Sequence, residues 1–163
     1  MRKTYRFRSG LLIVLIVLVV AFFIFGIGFM IWGVRWMGGQ KDFRRELGES
    51  IGDSVLAGVT AVGPDGQQSQ PRLDGLNQML LLFTDSEYYV SRGSADEGAD
   101  IIVLSFGDGA ELTLTLMGDE GVRAEFTSAG GRDYRYDLDA RGMSPVSMMS
   151  RLCELLGLAD ESV

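Results

Sequence analysis

Carboxylates are the largest supply of reactive side chains in this 163-residue chain, which carries 22 Asp and Glu. Asp96, Glu97 and Asp100 fall within one short stretch, with Asp85 and Glu87 shortly before. Two carboxylates facing each other across a cleft can divide acid and base work, as in glycoside hydrolysis. Several oxygens on one loop can also suit a calcium ion. Neither pattern is met here. Residues 91–100 mix Gly and Ser with the acids and supply no cleft. Their spacing lacks the alternating ligands, central glycine and closing glutamate of an EF-hand. Asp96, Glu97 and Asp100 are thus weak metal candidates on a solvated loop, and neither a catalytic residue nor a cofactor is expected.

The remaining chemistry is sparse. With no histidine in the chain, a Ser-His-Asp triad, a Cys-His dyad and a His-ligated metal are all excluded. Cys153 is the one thiol, so no intramolecular disulfide can form, and its place on an apolar helical stripe makes it a core residue. Lys3 and Lys41 are the only lysines, both beside an apolar run, which argues against a Schiff-base site. Phe106-Gly107-Asp108-Gly109 is not a phosphate loop, because a strand pattern follows it instead of a helix. These exclusions point to a protein that is not an enzyme.

The elements around these residues fall into two unlike parts. Residues 1–45 hold eight basic residues and one acid, Asp42, for a net charge of +7. Residues 46–163 hold seven basic residues and 21 acids, for a net charge of −14. Leu11 to Val34 is an uncharged run of 24 residues rich in Leu, Ile, Val and Phe. As a helix it would be about 36 Å long, enough for a hydrocarbon core of about 30 Å. Tyr5, Arg6 and Arg8 precede it, and Trp32, Arg35 and Trp36 mark its other end, as interfacial anchors do. A cleaved signal peptide has a shorter apolar core followed by small residues. A lipoprotein signal needs a cysteine just after the run, where none stands. The expectation is an uncleaved transmembrane helix over 11–34, behind a basic cytoplasmic tail at 1–10.

Arg2, Lys3, Arg6 and Arg8 before the span nearly balance Arg35, Lys41, Arg44 and Arg45 after it. The free amino terminus and the lack of acids in the short tail tip the positive-inside count towards a cytoplasmic N-terminus. Acidic residues weigh little in that rule, so the body is expected outside. The span has no ionisable residue to mark an ion path. Gly26 and Gly33 share a face but form no small-xxx-small pair.

Phe43, Leu47 and Ile51, four residues apart, predict a juxtamembrane amphipathic helix or linker over 35–52. Lys41, Arg44 and Arg45 there can reach lipid phosphate. The body, 53–158, is expected to be α+β, with a short tail at 159–163. Val55–Val62 reads as a strand before the turn Gly63-Pro64-Asp65-Gly66, and Gln67–Pro71 as an edge strand. Leu73, Leu76, Leu80 and Phe83 predict a helix over 73–84, and Glu87–Val90 another short strand. Between Ile101 and Leu138, three glycine-ended turns separate four alternating runs, predicting an antiparallel four-stranded meander.

Three-residue loops pair Leu104 with Leu112 and Ile102 with Leu114, then Leu116 with Ala124 and Leu114 with Phe126. They go on to pair Phe126 with Tyr134, Ala124 with Tyr136 and Val122 with Leu138. On the other face Glu125 meets Arg135 and Arg123 meets Asp137, as a solvated ion-pair ladder. Ser144 and Pro145 open a final helix over 145–156, which Gly157 stops. Both helices belong on the apolar face of the meander, giving a two-layer domain.

The order strand, polar turn, helix at Leu73–Phe83, Gly/Ser loop, meander at Ile101–Leu138 and closing helix resembles small extracytoplasmic domains of Gram-positive (Firmicutes-type) gut bacteria. Those domains are tethered by a membrane helix or a lipid. The resemblance covers residues 53–157 and implies a surface-tethered, non-enzymatic domain, without implying functional residues. The resulting expectation is a single-pass membrane protein whose acidic outer domain binds or senses a protein partner. The lipid bilayer is its other partner, and nucleic acid is disfavoured by the −14 balance. A small accessory subunit of a larger membrane complex and a carboxylate-dependent envelope hydrolase are the alternatives.

Overall fold

The computed structural model describes residues 4–91 and 99–158, with the side chains of 13–54, 57–91 and 99–158. Helix α1 (Thr4–Ala57) is 54 residues long. The chain divides into two units, Met1–Gly39 and Gln40–Val163. The first holds the apolar part of α1. Its large apolar side chains between Ile13 and Val34 are 47–80% exposed, and none of its most apolar 18-residue stretch is buried. α1 is the one helix among the described residues long and apolar enough to cross a membrane.

The second unit is α+β. Seven strands form one antiparallel sheet: β1 (Val59–Val62), β2 (Gln68–Ser69), β3 (Ser86–Val90), β4 (Ile101–Phe106), β5 (Glu111–Leu116), β6 (Val122–Thr127) and β7 (Asp133–Ala140), in spatial order β2-β1-β4-β5-β6-β7-β3. The expected four-stranded meander is therefore the middle of a larger sheet. β1 extends it by pairing Ala61 with Leu104, and β3 by pairing Tyr88 with Leu138. Chain reversal at Gly58 makes the first addition possible. Its φ of +84° suits glycine, and its carbonyl accepts from the Gly107 amide at 3.0 Å.

The first and third hairpins carry the expected registers, Leu104 opposite Leu112 and Phe126 opposite Tyr134. The second does not: Leu116 faces Val122, and Leu114 faces Ala124. The Met117 amide donates to the Gly121 carbonyl at 3.0 Å, which places the loop at 118–120. Gly118 has a φ of +59°, so glycines at both ends compete to define this turn. The pairing moves by two residues, an even number, and every side chain keeps its face.

Helices α2 (Leu73–Asp85) and α3 (Pro145–Leu155) contribute Leu76, Met79, Phe83, Met148, Met149 and Leu152 to the core. The Ser144 hydroxyl caps α3 by accepting from the Ser147 amide at 3.2 Å. A Cβ at Gly75 would run into the Leu155 carbonyl oxygen, so glycine is what lets α2 and α3 approach. The last turns of α1 form a third covering piece. Phe43, Leu47 and Ile51 are 0–2% exposed, so the stripe expected to rest near headgroups is part of the domain core. Residues 55–57 continue α1 instead of starting the expected strand, and the helix closes with the Gly58 amide on the Ser54 carbonyl at 2.8 Å.

Candidate functional site

Phe43 organises the centre of the second unit. Its ring lies 5.5 Å from Tyr136, 5.9 Å from Phe126 and Tyr134, 6.1 Å from Tyr88 and 6.4 Å from Phe83. Most of these contacts are edge-on or tilted, the arrangements that ring quadrupoles favour. The Tyr88 hydroxyl is buried and has no hydrogen-bond partner among the described residues. Burial pushes it up to about 12, against the pull of Arg44. The Arg44 guanidinium carbon stands 5.6 Å from the centre of the Tyr88 ring, a cation–π contact.

A polar rim follows along α1. Glu46 accepts from Arg132 at 3.0 Å. Burial pushes its carboxyl up, but Ser128, Tyr134 and Arg132 outweigh that by hydrogen bonding and charge, so its pKa falls below the usual value of 4.5. Arg45 is held among Asp42 at 3.3 Å, Glu46 at 3.7 Å and Glu49 at 3.9 Å. Beside them a cleft of about 490 Å³ is lined by Glu49, Asp53, Asp108 and Arg132 among others. A second groove, about 630 Å³, runs past Ser54, Gly58, Gln70, Leu73 and Phe106.

The outer face of the sheet departs from a uniformly solvated ladder. Arg135 and Glu125 pair at 2.9 Å with both side chains about half exposed. Arg123 and Asp137, by contrast, are 3% and 9% exposed. They meet through two hydrogen bonds of 2.7 and 3.1 Å. The hydrogen bonding that Arg123 donates to Asp137 raises the Arg123 pKa further, against desolvation. Alternation placed this pair correctly, but it carries no information about what covers an outer face.

Of the weak metal candidates, Asp96 and Glu97 lie outside the described residues, and Asp100 lies just before β4. The Asp100 carbonyl accepts from the Leu116 amide at 2.9 Å, a backbone role. Among the described residues no group of three His, Cys, Asp or Glu is placed to hold a metal ion. Cys153 is half-buried, and burial pushes its thiol up. Trp32 and Trp36 stack at 6.1 Å in the first unit, and Arg35 is exposed. Tyr5, Arg6 and Arg8 lie on the backbone of α1, and their side chains are outside the described ones.

The Arg44–Tyr88 cation–π contact is the feature that sequence reasoning missed. Tyr88 was legible only as a strand residue, and no local spacing joins it to position 44. Comparisons of the chain with protein-family models, with curated proteins and with solved structures find no match.

Proposed function

We propose that this chain is a single-pass membrane protein with a cytoplasmic N-terminus and an acidic, non-enzymatic α+β domain outside, which binds a protein partner. The observation that carries the reading is the uncovered apolar stretch of α1. A helix of this composition inside a soluble domain is buried by its neighbours, whereas here the most apolar stretch has no cover. Lipid supplies that cover at the lowest free energy, because removing apolar surface from water is worth about 25 cal/mol per Å². Trp32 and Trp36 at one end of the run suit the headgroup interface.

Chain length ties the domain to the bilayer. Only eight residues separate Val34 from Phe43, the first core residue. Even fully extended, they span about 30 Å. The domain thus works at the membrane surface, as the resemblance to tethered extracytoplasmic domains also implies. Its −14 balance favours a partner with a basic face, through steering and exclusion of like-charged proteins.

Affinity purification of the full chain from native membranes tests the reading, compared with a chain ended after Asp53 and with the triple variant Glu49→Lys/Asp53→Lys/Asp108→Lys. The expected result is a set of co-purifying proteins lost on truncation and depleted in the charge variant. An unchanged set from the truncated chain would show that the span, and not the domain, recruits partners.

A further inference from the structure

The basic residues just beyond the apolar run are not equivalent. Arg45 is surrounded by Asp42, Glu46 and Glu49. No carboxylate of the described residues lies within ion-pair distance of Lys41 or Arg44. Lys41 is exposed and Arg44 half-buried, and their i,i+3 spacing places them on one face of α1. Arg44 lies over the ring of Tyr88. A cation–π contact draws on the charge of the guanidinium and uses none of its N–H donors as hydrogen bonds, and it holds the group beside the ring. A fork of N–H donors beside a mobile ammonium fits one tetrahedral monoanion. The guanidinium takes the two non-bridging oxygens of a phosphodiester, and the lysine ammonium shares one of them.

We propose that Lys41 and Arg44, with Arg44 positioned by Tyr88, clamp the phosphodiester of an anionic phospholipid such as phosphatidylglycerol. The proposal rests on the membrane-anchor reading. It commits to a lipid because the two side chains follow Val34 by seven and ten residues, and basic clusters next to a span sit in the field of anionic headgroups. Arg45 takes no part in the clamp.

The test is native mass spectrometry of the full chain in neutral detergent, titrated with phosphatidylglycerol and with phosphatidylcholine of the same acyl chains. The wild type should prefer phosphatidylglycerol. Lys41→Ala and Arg44→Ala should each weaken that preference roughly 5-fold and together roughly 30-fold. Arg45→Ala should stay within about 2-fold, since its charge is already matched. Arg44→Lys should fall between wild type and Arg44→Ala, because it keeps the charge and loses the fork. Thermal melts of each variant verify that the fold is retained.

A Lys41→Ala/Arg44→Ala chain that keeps the preference overturns the clamp, as does equal binding of soluble glycerophosphoglycerol. Alkaline carbonate extraction separates the two levels of failure. Release of the chain into the soluble fraction overturns the anchor reading and the clamp together. Retention of the chain with indifference to the double variant overturns the clamp alone.

Discussion

Arg123 and Asp137 show what burial does to an ion pair that the pattern places on an outer face. Removing one partner strands a buried charge, and the typical cost is about 3–5 kcal/mol. Arg123→Ala and Asp137→Ala should each lower stability by that order in denaturant titrations of the detergent-solubilised chain. The apolar pair Arg123→Met/Asp137→Leu should recover most of the loss, since it leaves no unpaired charge. By contrast, Glu125→Ala at the half-exposed pair should cost less than about 1 kcal/mol. Glu46 adds a pH dependence. Its folded pKa lies below the ordinary 4.5, so its contribution is present above that value and fades as pH falls through the lowered one. Thermal midpoints recorded from pH 7 down to pH 3 should drop less steeply for Glu46→Gln than for the wild type. Parallel curves would contradict that assignment.

At the scale of elements, the domain depends on how closely its helices seat. Gly75→Ala should destabilise by about 1–3 kcal/mol, because the new methyl meets the Leu155 backbone and not a yielding side chain. Phe43→Ala should cost about 3–5 kcal/mol through the cavity left among five aromatic rings. Chemical denaturation of each variant measures both. These elements also mark how far local pattern reaches. The 73–84 and 145–156 helices and the four runs between Ile101 and Leu138 were legible, because period and turn residues are local. Position 43 was legible as an apolar helical residue but not as core, since its rings come from α2, β3, β6 and β7. Val55 and its β-branched neighbours suggested a strand, but packing of Ile51 and Ser54 carried α1 on to Gly58. The clamp's two basic residues were visible in sequence. The tyrosine beneath Arg44, and the carboxylates that neutralise Arg45, needed the fold.

For the whole molecule, the proposed function rests on a +7 end and a −14 body carried by one chain. The proposed function gives the apolar stretch to lipid and the acidic body to water. The proposed sidedness turns on which basic flank would stay in the cytoplasm. Four basic residues lie on each side of the run, and the proposed sidedness rests on the lack of acids in the flank that precedes it. Exchanging Arg2, Lys3, Arg6 and Arg8 for serine should invert or scramble the topology, as read by the fusion described next. The most direct measurement is a dual reporter fused after Val163 in a bacterial host, with one half active only outside the membrane and the other only inside. The expected result is outside activity in a membrane fraction that resists carbonate extraction. Inside activity from the same fraction would contradict it.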